Sequence, residues 1–451
     1  MRILIAFFVA LTLILNIAFY SLGIADIVLS VVAMFFTFVY CRSVQFSTHL
    51  CQLTVLLYVY VPTVFIPAFH FGLDELTELD YGRLASLGAK VYAFTIITIT
   101  SMGILWKKNR KVESRSLRVR PISNFALNAF FIVMFGLTLF SLSIGLGVMG
   151  RENAVLPYGL GGLITMARMQ FAPLFFLLVV ENWIIAGKKL ERRYILLFLA
   201  WTLLETFTRL SKGVLISNML PIMLLLVIQY KPSPRKMVRY ATPLVLVFLA
   251  LYPIIQTMRQ YGNSDIAASF QMASNDVRQQ GDDDHTLRQS FNRAFMTASL
   301  YHSDYSYINQ NDLFDFSNAP QIITWQGSAR FQTVVIDGYP PTAHHSSGTS
   351  GILDPMLIGG YGLSLIVIFL IVCLACYVDT KFHAKVGGYM ILWIIVSDLI
   401  SRQNISYFFD GLFLPYFSIR FMMIFLISWF NYGFRSKKEL VRNGAHGRLV
   451  R

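Results

Sequence analysis

The 451-residue chain is 55% hydrophobic and only 14% charged, against about a quarter charged in soluble domains. That balance excludes a single water-soluble core and places the chain in a bilayer many times over. Its net charge of +14 does not indicate nucleic acid, because more than half of the Lys and Arg residues sit in short clusters between apolar runs, as cytoplasmic loops do under the positive-inside rule.

A helix needs about 20 apolar residues to cross the hydrocarbon. Taken in chain order, spans are expected near 3–20, 24–40, 53–72, 85–106, 122–146, 166–187, 194–209, 213–230, 240–258, 355–378, 386–402 and 412–433, twelve in all. The first run has one flanking Arg and no small-residue cleavage site, so it reads as a retained helix. With the N-terminus inside, the basic segments KKNRKVESRSLRVR (107–120), KKLERR (188–193), KPSPRKMVR (231–239) and the tail 434–451 all fall inside. The acidic LDELTELDYGR (73–83) falls outside. The expected fold is therefore an all-α polytopic membrane protein with both termini cytoplasmic. It divides into 1–258 (nine spans), a large loop 259–352, three further spans in 353–433 and a basic tail 434–451. Cys41, Cys51, Cys373 and Cys376 all lie outside the long loop, so no extracytoplasmic disulfide framework is indicated.

The long loop is polar from 259 to 350 and falls outside. It has no Lys and no Glu, but five arginines (Arg259, Arg278, Arg288, Arg293 and Arg330) and nine aspartates. A structureless loop of this length is uncommon and usually functional. Within DDDHTLRQSFNRAFMTASLYHSDYSYI, acids at a helix start precede Leu287, Phe291, Ala294, Ala298 and Tyr301 at helical spacing.

Ionisable residues inside spans are costly and mark functional sites by default. Glu205 and Arg209 stand four apart at the outer end of one span, and Asp398 and Arg402 repeat that spacing. Arg168 opens the sixth span and Arg259 closes the ninth. Taken singly, such pairs neutralise themselves on a helix face, or the arginines snorkel to lipid phosphates. As a set on the outer face they suggest a lipid-linked phosphate or pyrophosphate, which the planar guanidinium fork grips in a bidentate manner, or an acidic sugar.

The stretch TAHHSSGTSGILDPMLIGGYG (342–362) adds a second group of candidates. Gly348, Gly351, Gly359, Gly360 and Gly362 permit close approach of a ligand or of other helices. Asp354-Pro355 fits a helix start, with Asp as N-cap and Pro at the first helical position, where backbone N–H groups can hold an anion. His344 and His345 read either as a solvated pair or as candidates for a general base toward a sugar hydroxyl. No His or Cys stands at metal-ligand spacing nearby, which argues against zinc.

Several local patterns are similar to those of one family. RLSKGVLISNML (209–220) resembles a small-residue-plus-Arg motif at a span start. MRQYGN (258–263) resembles an Arg-Tyr-Gly entry to a large loop, and ARMQFAPLF (167–175) resembles an Arg followed by an aromatic and a Pro. ITWQGSARF (323–331), the His-Ser-Gly stretch after it and SRQNISYFF (401–409) resemble its later motifs. The chain resembles the Wzy-type O-antigen and exopolysaccharide repeat-unit polymerases, in particular the branch containing the enterobacterial common antigen polymerase. It departs from them in lacking the double glycine before Arg209, in having Asp354 where Ser is common, and in lacking prolines around Trp325.

The resemblance implies a GT-C-like fold in the bacterial inner membrane with the large loop periplasmic. It implies a glycosyltransferase that uses no metal or other cofactor. Two undecaprenyl-pyrophosphate-linked oligosaccharides would meet at the periplasmic face, one hydroxyl attacking the anomeric carbon of the other and undecaprenyl pyrophosphate leaving. On this reading Arg209, Arg259 and Arg402, supported by Arg168, hold the pyrophosphate. His345 is the first choice of base, with Asp354 and Glu205 as rivals. Arg288, Arg293, Arg330, Trp325 and His344 face the sugars. The expected partners are membrane lipid, a flippase and a chain-length regulator. An O-antigen ligase is the rival of the same class. A transporter or lipid-sugar flippase is the rival of another class, and it should place charge midway across the bilayer, often with repeated halves.

Overall fold

The computed structural model describes residues 2–43, 55–70, 78–108, 121–147, 156–188, 191–209, 212–230, 307–309, 312–336, 352–382 and 387–399, with positions 242, 246, 338, 340 and 422. The described residues are helical almost throughout and contain no strand. Five helical stretches among them are long and apolar enough to cross a membrane: Ile24–Arg42, Leu79–Trp106, Asn124–Ile144, Pro157–Ile185 and Leu353–Thr380. The chain is an all-α membrane protein. The spans expected at 240–258 and 412–433 lie outside the described residues apart from single positions, as does the helix expected at 287–301.

The chain forms two compact units. The first comprises Met1–Ser114, Phe291–His383 and Ile391–Ser418. It holds α1 (Arg2–Phe19), α2 (Ile24–Ser43), α3 (Leu56–Phe65, continuing as Ile66–Phe69), α4 (Glu78–Lys108), α9 (Ala319–Thr324), α10 (Ser328–Phe331, continuing as Gln332–Ile336) and α11 (Leu353–Phe382). Close helix packing in lipid needs small residues. α4 supplies Ala85, Gly88, Ala89 and Ala93, and its three alanines are buried. A Cβ on Gly88 would stand 2.5 Å from the Thr63 carbonyl oxygen of α3, so backbone meets side-chain-free backbone there. α3 is π-helical over Leu56–Phe65 and contains Pro62. A proline removes a donor and collides with the carbonyl four residues back, and the wider turn relieves that collision.

Several buried polar side chains in this unit are paired across helices, as a low-dielectric interior favours. The Thr12 hydroxyl lies 2.8 Å from the Tyr60 hydroxyl, and Asn16 donates to the Val64 carbonyl at 3.0 Å. Ser86 donates to Asp26 at 2.7 Å, and Lys90 stands 3.8 Å from the other Asp26 oxygen.

Two residues inside α11 leave helical geometry, Gly359 (φ −146°, ψ 22°) and Gly360 (φ 76°, ψ −173°). The second conformation is open only to glycine at low cost. The break admits backbone of the same unit: Gly362 N–H donates to Leu313 O at 2.7 Å and Asp315 N–H donates to Gly359 O at 3.4 Å. The close approach that these glycines permit is therefore made, on this side, by the chain's own segment Leu313–Asp315. Asp354 and Pro355 are the second and third residues of α11, so Asp354 lies within the first turn instead of capping it.

The second unit comprises Arg115–Ser290, Ala384–Met390 and Ile419–Arg451. It holds α5 (Asn124–Ile144), α6 (Leu160–Met166, a π turn Ala167–Phe171, then Ala172–Ile185), α7 (Arg192–Thr208), α8 (Lys212–Tyr230) and the first turn of α12 (Gly388–Leu399). Ser123 caps α5, its Oγ accepting from Ala126 N–H, and Gly145 ends it at φ 76°. The core between α5, α6 and α7 is aromatic. Phe176 stacks on Phe198 with centroids 4.2 Å apart, and Phe131, Tyr194, Trp183 and Trp201 continue the cluster.

One end of this core is closed by a polar net. Ile122 N–H donates to Asn182, Lys188 donates to Asn124 at 2.6 Å, Asn124 donates to Glu191 at 2.8 Å and Tyr194 donates to Asn128. Glu191 titrates below the usual glutamate range, first because the Asn124 amide bonds its charged form and then because Arg193 and Lys188 lie near it.

Candidate functional site

At the opposite end of α5, α6 and α7 the same unit buries an ion pair. Arg168 lies on the π turn Ala167–Phe171, which ends two residues before Pro173. Proline there cannot donate to the turn before it and its ring presses on the Met169 carbonyl, so the helix widens. Such π turns recur at functional sites. Glu205 lies on the last turn of α7, and Arg209 is the C-cap of that helix.

The pair is bidentate. Arg168 Nε donates to Glu205 Oε1 at 2.7 Å and Nη2 donates to Oε2 at 3.0 Å. The side chains are only 3% and 2% exposed, which excludes snorkelling for this arginine. Nη1 donates to the Leu146 carbonyl at 3.3 Å, and Nη2 reaches the Thr208 hydroxyl at 3.4 Å. Thr138 of α5 stands 2.6 Å from Glu205 Oε1. Trp201 donates its indole N–H to the Thr138 oxygen at 3.1 Å, which turns the single hydroxyl proton of Thr138 toward an acceptor. Glu205 therefore receives three donors, and four of the five guanidinium N–H bonds of Arg168 are used. Ser141 and Thr202, on α5 and α7, bury hydroxyls with no partner within hydrogen-bonding distance.

The i, i+4 rule directs Glu205 toward Arg209. The structure gives both carboxylate oxygens to Arg168, 37 residues away in sequence. Arg209 is half-buried, and its backbone N–H donates to Glu205 O at 3.1 Å. The backbone thus holds Arg209 at the edge of the pair.

In the first unit, Asp354 is fully buried. Trp325 is half-buried at the C-cap of α9, and Arg330 is exposed on α10. Arg259, Arg288, Arg293, Arg402, His344 and His345 lie outside the described residues, and the side chain of Asp398 is not described. Among the described residues, no group of three His, Cys, Asp or Glu side chains converges on a point that a metal could occupy.

Sequence reasoning did not single out three charged groups inside spans. Asp26 and Lys90 form the pair in the first unit. Glu181 of α6 is buried in the second unit and accepts from the N–H groups of Tyr389 at 2.9 Å and Met390 at 3.4 Å, at the start of α12. The signal was present, because each is ionisable within an apolar run.

The fold and this site define an all-α membrane protein with a buried arginine–carboxylate centre at one end of a helical unit. Comparison with protein-family models, with curated proteins and with solved structures finds no match.

Proposed function

We propose that the chain is a Wzy-type repeat-unit polymerase. On this reading it is a twelve-span, GT-C-like enzyme of the bacterial inner membrane, with both termini cytoplasmic and its large loop periplasmic. It joins undecaprenyl-pyrophosphate-linked oligosaccharides and releases undecaprenyl pyrophosphate. The observation that carries the reading is the Arg168–Glu205 centre, buried on a π turn and bordered by Arg209. Apolar side chains of similar volume would join three helices at no greater cost, so a buried ion pair beside a second arginine favours a binding role. The break in α11 is itself unlike a transporter's: of the 28 residues of Leu353–Thr380, the 20 beyond Gly360 are enough to cross about 30 Å alone, whereas transporter sites form at helix breaks near the midplane.

In this mechanism the acceptor hydroxyl gives its proton to His345 as its oxygen bonds to the anomeric carbon. The bond from that carbon to the pyrophosphate oxygen breaks, and the electron pair leaves with undecaprenyl pyrophosphate. Arg209, Arg259 and Arg402 stabilise the charge that develops there, in surroundings where fixed cations act strongly. Both oxygens of Glu205 are engaged by Arg168 and Thr138, so neither is offered to an acceptor hydroxyl. Buried Asp354 lies away from solvent. The base role therefore falls to His345, and Glu205 and Arg168 act as positioning residues for Arg209.

The test is purified protein in nanodiscs with undecaprenyl-pyrophosphate-linked repeat units. The expected product is a ladder of longer lipid-linked chains, lost in Arg209→Ala and strongly slowed in His345→Ala while the proteins still accumulate. Normal chain lengths in Arg209→Ala, Arg259→Ala and Arg402→Ala would remove the pyrophosphate role. Transfer only onto lipid A core would make the enzyme a ligase, and movement of lipid-linked sugar without a new glycosidic bond would make it a transporter.

A further inference from the structure

The segment Leu313–Phe316 presents three large apolar side chains to the surface: Leu313, Phe314 and Phe316 are 58%, 48% and 55% exposed. Clustered exposure of this kind marks an interaction site. Two observations say what covers it. First, the segment is tied by backbone hydrogen bonds to the α11 break at Gly359–Gly362. The 20 residues of α11 beyond Gly360 match the hydrocarbon thickness, so a bilayer spanned by them would have its headgroup boundary at the break and at the segment on it.

Second, the segment continues an exposed apolar stripe. Ile366, Leu370, Leu374 and Tyr377 are exposed along one face of α11, at spacings of four, four and three. One more step of four back along that stripe is Gly362. There the Phe314 ring takes the place of a side chain, since a Cβ on Gly362 would lie 2.5 Å from Phe314 Cε1 and Cζ. Phe316 rests in the same way on Gly359, where a Cβ would meet its Cε1 at 2.7 Å.

We propose that Leu313, Phe314 and Phe316 insert into the headgroup–acyl boundary of the phospholipid bilayer and extend the lipid-facing surface of α11 past its break. Aromatic side chains favour that level of a membrane, and an apolar face buried a few ångströms into it anchors peripheral segments. The segment would tether the polar loop at its membrane-proximal edge. This inference does not depend on the catalytic reading.

The test uses the full chain in phosphatidylethanolamine–phosphatidylglycerol vesicles. Cys41, Cys51, Cys373 and Cys376 are replaced by Ser, and a single nitroxide-labelled Cys is placed at Leu313, Phe316 or, as a control, Asp312. Oxygen collisions several-fold above those of a water-soluble nickel chelate are expected at 313 and 316, with the reverse at 312. Nickel access at 313 and 316 equal to that at 312 overturns the proposal. Exclusion of both reagents also overturns it, because protein and not lipid would then cover the segment. Should the cysteine-free chain fail to fold, Phe316→Trp in the native-cysteine chain gives a second reading. Its added fluorescence is quenched by lipids brominated near the headgroup end of the acyl chain if the proposal holds, and is unchanged by them if it does not.

Discussion

Removing either member of the Arg168–Glu205 pair leaves a charge stranded in the second unit, and the geometry sets the size of the effect. Glu205→Leu takes away two charge-assisted hydrogen bonds, at 2.7 and 3.0 Å, and leaves the guanidinium with only the Leu146 carbonyl and the Thr208 hydroxyl. Arg168→Met leaves the carboxylate with Thr138 alone. Hydrogen bonds to charged groups contribute about 1.5–3 kcal/mol each, and breaking a buried pair costs about 3–5 kcal/mol, so each single variant should lose about that much. The double variant strands no charge. Thr138 can turn to the Met134 carbonyl at 2.9 Å, and stability should return to within about 1–2 kcal/mol of the parent, since apolar replacement of a buried pair is often neutral. Unfolding by SDS in mixed micelles, followed through tryptophan fluorescence, measures all four corners of the cycle. A single variant within about 1 kcal/mol of the parent refutes the reasoning, and so does a double variant as unstable as the two singles added together. The same four proteins separate positioning from architecture: a folded double variant that makes no polymer assigns the pair to Arg209, whereas one that makes normal polymer leaves it a helix contact only.

The first unit makes a backbone prediction. Gly88→Ala should cost about 1–3 kcal/mol by overpacking, because the added Cβ meets the immovable Thr63 carbonyl at 2.5 Å. Gly136→Ala, with nothing within 4 Å, should be neutral or gain up to about 1 kcal/mol from helix propensity; equal stability of the two variants would remove the close-contact reading. In the second unit, Glu181→Gln keeps one acceptor oxygen at the start of α12 and should cost about 1–2 kcal/mol, and Glu181→Ala should cost more, because the N–H groups of Tyr389 and Met390 lose their acceptor. An Ala variant as stable as the parent in the same SDS titration would show that another group caps the helix.

Much of the helical layout was legible, because apolar runs of membrane length leave few alternatives. Helices stand at 2–19, 24–43, 78–108, 124–144, 192–208 and 353–382 close to where hydropathy puts them. The tertiary partners were not legible. Glu205 has a basic residue four positions on, and the local rule directs it there, but the carboxylate pairs across the unit with an arginine on another helix. Glu181 meets N–H groups more than 200 residues away, a contact to which no spacing rule points. The π turn did leave a trace. Pro173 five residues after Arg168 marks a place where the hydrogen-bond ladder must be interrupted, and an ionisable residue beside such an interruption merits attention before any motif is invoked. The glycines of α11 announced close approach, but glycine does not name what approaches, and here it is Leu313–Asp315.

On the proposed reading, the geometry also divides the labour between Arg168 and Arg209. An arginine that binds a pyrophosphate needs N–H groups to offer and a net positive charge to offer them with. Arg168 has committed four of its five N–H bonds and stands against a carboxylate that cancels its charge. Reaching a phosphate with a second fork would mean breaking the pair, at a cost comparable to the binding gained. Arg168 is therefore better placed to hold the end of α7 against α5 and α6 than to grip a ligand. The residue whose position that end controls is Arg209, fixed through its backbone N–H to Glu205 O. An isolated arginine in lipid would swing to whichever phosphate lay nearest. One mounted on a helix end that a buried ion pair fixes keeps its backbone in one place, which is the preorganisation that the proposed role, stabilising a leaving pyrophosphate, would require.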